Sequence, residues 1–271
     1  AIEEIPTVES AEPAVIEVAP PAVIEVMPPV AIESVISQAV VPPVESPPPA
    51  VFVPDVVLAE SESLESMKSK PKFELPPIHP VGDSMSKIRQ DIGDCKRCRL
   101  CEGRTNIVFG SGNEKSPLVF IGEGPGADED EQGLPFVGRA GQLLTQMINN
   151  TTQKEEIPVT RDDVYICNVV KCRPPGNRAP QPDEMEICGQ FLSRQLGVIK
   201  PKAIVTLGAT ASKAVLNLKE GITKARGKWH KWQDIPVMVT YHPSYLLRNQ
   251  SKELRREAWE DLKAAFHSVY D

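Results

Sequence analysis

Four short apolar segments, separated from one another by helical patterns, constrain this fold more than any other feature of the chain. The strand candidates are residues 118–122, 164–169, 203–207 and 237–241, and helical spacing occurs at 141–149, 182–198, 209–216 and 252–269. Strands that alternate with helices pair in parallel and are covered on both faces. The sequence therefore predicts an α/β domain built on a parallel sheet.

Glycine or polar residues stand at the end of each predicted strand. The turn G-E-G-P-G begins at Gly122, Asn168 closes the second strand, Gly208 follows the third, and His242 follows the fourth. Open parallel sheets bind their ligands outside the carboxyl ends of the strands. We therefore expect one ligand site at this edge.

Each of these signals also has a purely structural interpretation. A glycine-rich turn can close a strand without binding anything, Asn168 can hold a strand end through its amide, and Phe136 in L-P-F-V-G is typical of a core residue. The G-E-G-P-G turn lacks the spacing of a dinucleotide site and the lysine of a phosphate loop. No nucleotide cofactor is expected.

Cysteines indicate a metal centre. Two are three residues apart and two others are sixteen apart, namely Cys95 with Cys98 and Cys172 with Cys188. Ligation by thiolates alone is typical of zinc or an iron–sulfur cluster. Because Cys101 and Cys167 are also present, six thiols compete for four ligand positions.

Proline and acidic residues are concentrated at one end. Residues 1–80 contain sixteen of the 27 prolines, and thirteen acidic residues against three lysines. The octapeptides A-V-I-E-V-A-P-P and A-V-I-E-V-M-P-P, whose proline pairs prevent a regular helix, follow each other there. We predict a disordered, acidic, Pro/Val/Glu-rich tail over residues 1–83, either a linker or a docking segment for an unknown protein partner, and a folded domain over 84–271.

The folded part has a different charge from the whole chain. The chain carries −7, but the acidic tail accounts for more than this, so the remainder is mildly basic and tolerates a polyanionic partner. No run of eighteen apolar residues and no signal-peptide pattern is present. We expect a cytoplasmic protein with no membrane contact.

Three motifs together resemble those of the family 4 uracil-DNA glycosylases. They are G-E-G-P-G-A-D-E-D-E-Q-G-L-P-F-V-G-R-A-G, Y-I-C-N-V-V-K-C-R-P-P-G-N-R-A-P and Y-H-P-S-Y-L-L-R, with C-x-x-C upstream. The resemblance runs from about Ile88 to the C-terminus and excludes the tail. It implies a three-layer α/β/α domain with a four-stranded parallel sheet, acting at the nucleoid to hydrolyse the N-glycosidic bond of uracil in DNA and so initiate base excision repair.

The resemblance also implies a cofactor and its ligands. Matching positions assign a [4Fe–4S] cluster to Cys95, Cys98, Cys172 and Cys188 and leave the other two cysteines as spare thiols. The cluster would fix the cysteine-rich loops and hold Arg97, Arg99 and Arg173 near DNA.

The resemblance also implies roles for the residues of the expected ligand site. Phe136 would stack on a flipped uracil, Asn168 would read its polar edge, and Glu129 would crowd C5 and exclude thymine. Gly124 would bring backbone close to the base. An amide suits uracil because it matches O4 and N3–H together, whereas cytosine reverses that pattern.

Two further roles follow from the resemblance. His242 would donate to uracil O2 as negative charge accumulates on the leaving base, and Glu123 would orient water or support its turn. Leu246, Leu247 and Arg248, on a loop after the histidine, would supply a wedge into the duplex and a phosphate contact. A structural helix-capping loop is the alternative for this segment.

Two other function classes compete with the glycosylase. A non-catalytic iron–sulfur or zinc module that binds nucleic acid would need the basic loops, but not Asn168 and His242 together. An electron-transfer protein would need an exposed cluster and would gain nothing from the pocket.

Overall fold

The computed structural model describes residues 75–76 and 82–271. The predicted tail therefore lies almost entirely outside the described residues. Two of its described members contact the domain: Leu75 is buried in the core, and the carbonyl oxygen of Pro76 accepts a hydrogen bond from the Ser193 hydroxyl at 2.6 Å. In the part of the chain that the structure describes, no helix is long and apolar enough to cross a membrane.

A single six-stranded sheet organises the described residues. Its strands are β1 (Ser111–Gly112), β2 (Leu118–Gly122), β3 (Tyr165–Asn168), β4 (Ala203–Leu207), β5 (Trp229–Trp232) and β6 (Ile235–Thr240), in the order β1-β3-β2-β4-β6-β5. β3, β2, β4 and β6 pair in parallel and are the four predicted strands. The α/β class is confirmed.

The two edge strands were not predicted, so the expected count of four strands is wrong for the whole sheet. β1 and β5 both pair antiparallel. β1 has only two residues, and in β5 only Trp232 is buried, so neither shows an apolar run. β5 joins β6 through a tight turn in which Gln233 has a φ of 53°. Short polar edge strands protect a sheet from further pairing.

Helices cover both faces. They are α1 (Met85–Ile92), α2 (Ala127–Gln132), α3 (Arg139–Lys154), α4 (Pro182–Ile199), α5 (Gly208–Leu216), α6 (Ile222–Ala225), α7 (Pro243–Arg248) and α8 (Lys252–Tyr270). Alternate residues of β2 face opposite layers: Val119 and Ile121 lie in the core with α1, α4 and α5, while Leu118 and Phe120 pack with α3 and α8. The three-layer arrangement is confirmed.

Three short helices next to the pocket, α2, α6 and α7, were not predicted from the sequence. α2 has the sequence A-D-E-D-E-Q and no apolar face for a pattern to detect. α7 replaces the loop expected after His242, and that expectation is wrong because Pro243 occupies the first helical position, where its fixed φ suits a helix and its missing N–H costs no hydrogen bond.

Candidate active site

A cavity of about 620 Å³ lies at the carboxyl edge of the parallel strands. Its lining includes the predicted site residues Glu123, Gly124, Glu129, Phe136, Asn168, His242 and Arg248. Residues that follow β2, β3, β4 and β6 thus meet at one place, because parallel strands all end at the same edge. Segments far apart in the sequence form one pocket.

Close packing between β2 and β3 sets the pocket floor. Gly122 pairs with Asn168 in the register of the two strands. A Cβ atom on Gly122 would lie 2.5 Å from the Phe136 ring and nearer still to Oδ1 of Asn168. Glycine is required because both side chains occupy the space that a larger residue would fill.

Asn168 carries an unused acceptor. The residue is 1% exposed, and within the described part of the chain its Oδ1 atom has no hydrogen-bond partner. A buried polar atom without a partner costs about 1–3 kcal/mol. Such an atom in a pocket indicates a ligand group that completes the bond.

Lys171 anchors the strand end that carries Asn168, and the sequence analysis did not identify it. The side chain is fully buried, and its Nζ donates to the Asn168 backbone oxygen at 2.9 Å and to Oε1 of Gln195 at 2.6 Å. Burial lowers the pKa of this lysine. Gln195 in turn donates to the Phe109 carbonyl at 3.0 Å. A lysine between Val170 and Cys172 gave no signal because nothing in the sequence shows that it is buried.

His242 caps α7 and faces the pocket. Its Nδ1 accepts the backbone N–H of Ser244 at 3.1 Å, so in the neutral ring the proton resides on Nε2. Burial, assisted by the positive charge of Arg248, lowers the pKa of His242 to about 4. The imidazole is therefore neutral near pH 7 and offers Nε2–H as a donor.

Phe136 lies beside this histidine and has an unusual backbone conformation. The two ring centroids are 5.8 Å apart, and Phe136 has a φ of 55°, a region that non-glycine residues seldom adopt. A Cβ atom on Gly141 would overlap the Phe136 carbonyl, so α3 can approach only because residue 141 is glycine. The phenylalanine is buried, but at the pocket wall as well as in the core.

Glu129 holds the segment around Phe136. Its Oε1 accepts the backbone N–H groups of Val137 and Gly138 at 3.0 and 2.9 Å, and its Oε2 accepts that of Gly126 at 3.0 Å. The carboxylate thus occupies a fixed position at the pocket wall. Glu123 differs, since none of the described residues forms a hydrogen bond or ion pair with its side chain.

The three residues of α7 that were predicted to contact DNA differ in their exposure to solvent. Leu246 is 1% exposed and packs with Tyr241 and Ala258 in a small core. Leu247 is half-buried and Arg248 is exposed. Tyr245, which was not predicted, is exposed at the pocket mouth with its ring 5.3 Å from that of Tyr241. Leu246 is therefore a core residue in this structure.

The thiols assigned to the cluster lie near one another. Burial, with smaller contributions from Cys98 and Cys95, raises the pKa of Cys172 to about 11, although Arg104 acts to lower it. Burial raises the pKa of Cys188 to about 12, with Cys172 and Cys98 again adding to the effect. Burial also raises the pKa of Cys98. A bound metal would lower the pKa values of these three thiols, because it ligates thiolates.

Cys95, Cys98, Cys172 and Cys188 form a thiolate donor set of the kind that holds a zinc ion or an iron–sulfur cluster. Among the described residues, no three His, Cys, Asp or Glu side chains are arranged around one metal ion. The backbone N–H of Lys171 donates to Sγ of Cys188 at 3.3 Å, and Arg104 donates to Sγ of Cys172 at 3.5 Å. Such donors stabilise thiolate ligands.

The expected basic loops are largely neutralised. Arg97 pairs with Asp91 at 3.0 Å, and Arg99 pairs with Asp183. Arg173 instead donates to the amide oxygen of Asn177 at 2.8 Å. Of these three arginines, only Arg173 has no acidic partner in the described residues.

Comparison with known proteins places these features in a family. Residues 109–263 match the model described as the uracil DNA glycosylase superfamily. The type-4 uracil-DNA glycosylase of Thermotoga maritima is 50% identical over 183 residues, which cover 67% of this chain and 92% of the relative. That of Sulfurisphaera tokodaii is 46% identical over 189 residues, covering 67% and 83%. A type-5 uracil-DNA glycosylase of Pyrobaculum aerophilum is 31% identical over 152 residues, covering 52% and 67%, so similarity to type 4 is the stronger.

Proposed function

The chain belongs to the type-4 uracil-DNA glycosylases, and we propose that the pocket around Asn168 and His242 is where it holds and releases uracil. The protein is a DNA glycosylase that cleaves the N-glycosidic bond of uracil in DNA, the first step of base excision repair. The alternatives of a non-catalytic binding module and an electron-transfer protein are set aside by this membership.

The unpaired Oδ1 of Asn168 is the observation that carries the proposal. In uracil, N3–H donates and O4 accepts, so one amide side chain satisfies both groups. Cytosine presents an acceptor at N3 and a donor at position 4, and would leave the same amide unpaired. Binding of uracil therefore gives the buried Oδ1 atom of Asn168 a hydrogen-bond partner, whereas binding of cytosine leaves it without one.

His242 stabilises the leaving base. Cleavage makes the sugar cationic and the base anionic, and the Nε2–H of the neutral imidazole donates to O2 as that charge develops. Nδ1 cannot also carry a proton without losing the Ser244 N–H that orients the ring. A preorganised donor lowers the barrier without full proton transfer.

The other pocket residues position the base. Phe136 stacks on the flipped uracil, Gly124 lets the backbone approach it, and Glu129 occupies the space that a thymine methyl group would need. Three backbone hydrogen bonds fix Glu129, which supports a steric role. Glu123, half-buried and without a side-chain partner in the described residues, orients the attacking water.

DNA contacts come from the exposed side of α7. Of the three residues expected there, Leu247 is the wedge and Arg248 holds a phosphate, because both are accessible and Arg248 lines the pocket. The burial of Leu246 supports a role in fixing α7 instead. An apolar side chain in the gap left by the flipped nucleotide offsets the cost of unstacking.

Cys95, Cys98, Cys172 and Cys188 would hold the [4Fe–4S] cluster. When bound, the cluster supplies a covalent link between two distant segments of the chain, and hydrolysis requires no electron from it. Cys101 and Cys167 remain free thiols. Residues 1–83 act as a tether or protein-docking segment for the domain at 84–271, and Leu75 and Pro76 attach the end of this segment to the domain. The domain works in the cytoplasm at the nucleoid.

Release of uracil from a defined oligonucleotide tests the proposal. Incubation without added nucleotide or NAD, followed by alkali, should give one cleavage product at the uracil, and thymine in its place should give none. Asn168→Asp should bind the oligonucleotide but leave it intact, since a carboxylate cannot donate to O4 and repels an anionic base. Cleavage by Asn168→Asp at the normal rate would remove Asn168 from base recognition.

A further inference from the structure

A second cavity, of about 550 Å³, lies between α3 and α8. We call it the basic groove and define it by Lys154 of α3, Leu246 of α7, and Lys252, Arg255, Arg256 and Trp259 of α8. α7 is the wall between this groove and the uracil pocket: Leu246 faces the groove, whereas His242 and Arg248 line the pocket.

The cations of the groove are uncompensated. Lys154, Lys252, Arg255 and Arg256 are exposed, and in the described part of the chain none pairs with a carboxylate. No acidic side chain lines this cavity among the described residues. In contrast, Arg226 is neutralised by Asp261. Four like charges around one concave surface attract an anionic partner.

The groove is suited to phosphates rather than to bases. Lys154 and Lys263 lie 5.4 and 5.3 Å from the centroid of the Trp259 ring, so two cations occupy the aromatic surface on which a base would stack. Lysine and arginine heads on flexible stems bind a phosphodiester backbone without reading sequence.

We propose that the basic groove binds the phosphodiester backbone of the substrate DNA about three nucleotides from the uracil, an inference that rests on the proposed function. A helix with its side chains is about 10–12 Å across, and a DNA strand rises about 3.4 Å per nucleotide. The width of α7 therefore separates the two cavities by about three nucleotides. The pocket selects the base, and the groove adds affinity that does not depend on sequence.

Oligonucleotides of different length distinguish binding at the uracil pocket from binding at the basic groove. Single strands with one nucleotide on each side of the uracil cannot span α7, whereas strands with eight on each side can. Arg255→Ala and Arg256→Ala should each weaken binding of the long strand and lower the slope of log K against log salt by about one. Affinity for the short strand should match that of the unaltered protein.

Lys202→Ala is the matched control, because Lys202 is an exposed cation beside the start of β4, at the opposite edge of the sheet. It should leave both affinities unchanged, and melting temperatures should show that all three variants are folded. Equal losses for short and long strands, or none for the long strand, would overturn the groove proposal. If the unaltered protein released no uracil from either strand, the proposed function would fail instead.

Discussion

The Nζ atom of Lys171 lies 2.9 Å from the backbone oxygen of Asn168, while the backbone N–H of the same lysine donates to Sγ of Cys188 at 3.3 Å. One buried residue thus contacts both the strand end that we propose reads the base and a proposed cluster ligand. The cysteine-rich segment therefore supports the geometry of the pocket as well as the fold.

Lys171→Met should slow base release because it leaves the Asn168 carbonyl and Oε1 of Gln195 buried without a donor. Each unpaired acceptor costs about 1–3 kcal/mol, which loosens the end of β3. Free uracil should also become a weaker inhibitor, whereas DNA affinity should be retained. Lys202→Met is the matched control. A wild-type rate and uracil inhibition constant in Lys171→Met would show that the anchor is unnecessary.

Gly122→Ala should abolish most activity because no space is available for a Cβ atom at this position. The backbone conformation of Gly122 is one that alanine can adopt, so the substitution should not strain the main chain. The added methyl group would displace Phe136 and Asn168 together. Gly103→Ala is a suitable control, since a Cβ atom there meets nothing within 4 Å. Single-turnover uracil release measures both variants. Equal rates for the two would contradict the packing described for the pocket floor.

The sequence predicted the central sheet and the placement of the pocket because both depend on local patterns. Apolar runs identified β2, β3, β4 and β6, and parallel pairing then placed Asn168 and His242 at one edge. Burial that depends on distant partners was not predictable in this way. Lys171 and Leu246 are examples, because the neighbouring residues in the sequence do not show that either side chain is buried.

Replacing Cys95, Cys98, Cys172 or Cys188 with alanine should remove iron and visible absorbance, while Cys101→Ala and Cys167→Ala should keep both. The first four thiols are close enough for Cys95 and Cys98 to raise the pKa of Cys172, and for Cys98 and Cys172 to raise that of Cys188. Cys101 likewise raises the pKa of Cys98, so the iron content of Cys101→Ala decides its place. Iron analysis and absorbance of the purified proteins provide the measurement. Loss of iron in Cys101→Ala together with its retention in Cys188→Ala would reassign the ligands.

The rate of base release should not decline between about pH 5.5 and 8 through loss of a proton from His242. Its pKa is lowered to about 4, so the ring is already neutral across this range. A charged imidazolium donor with an ordinary pKa would instead lose activity as the pH rises through about 6.5. Single-turnover rates with saturating enzyme give the profile. A decline centred near that pH would indicate that the charged form acts.

The most direct test of the account is single-turnover uracil release by His242→Ala, with DNA affinity measured in parallel. The variant should be slower by about a hundredfold or more, the scale of losing one donor to a developing oxyanion, while its affinity for DNA stays close to that of the unaltered protein. Uracil release at the normal rate would contradict the proposal that His242 stabilises the departing base, even though the chain would still belong to the same family.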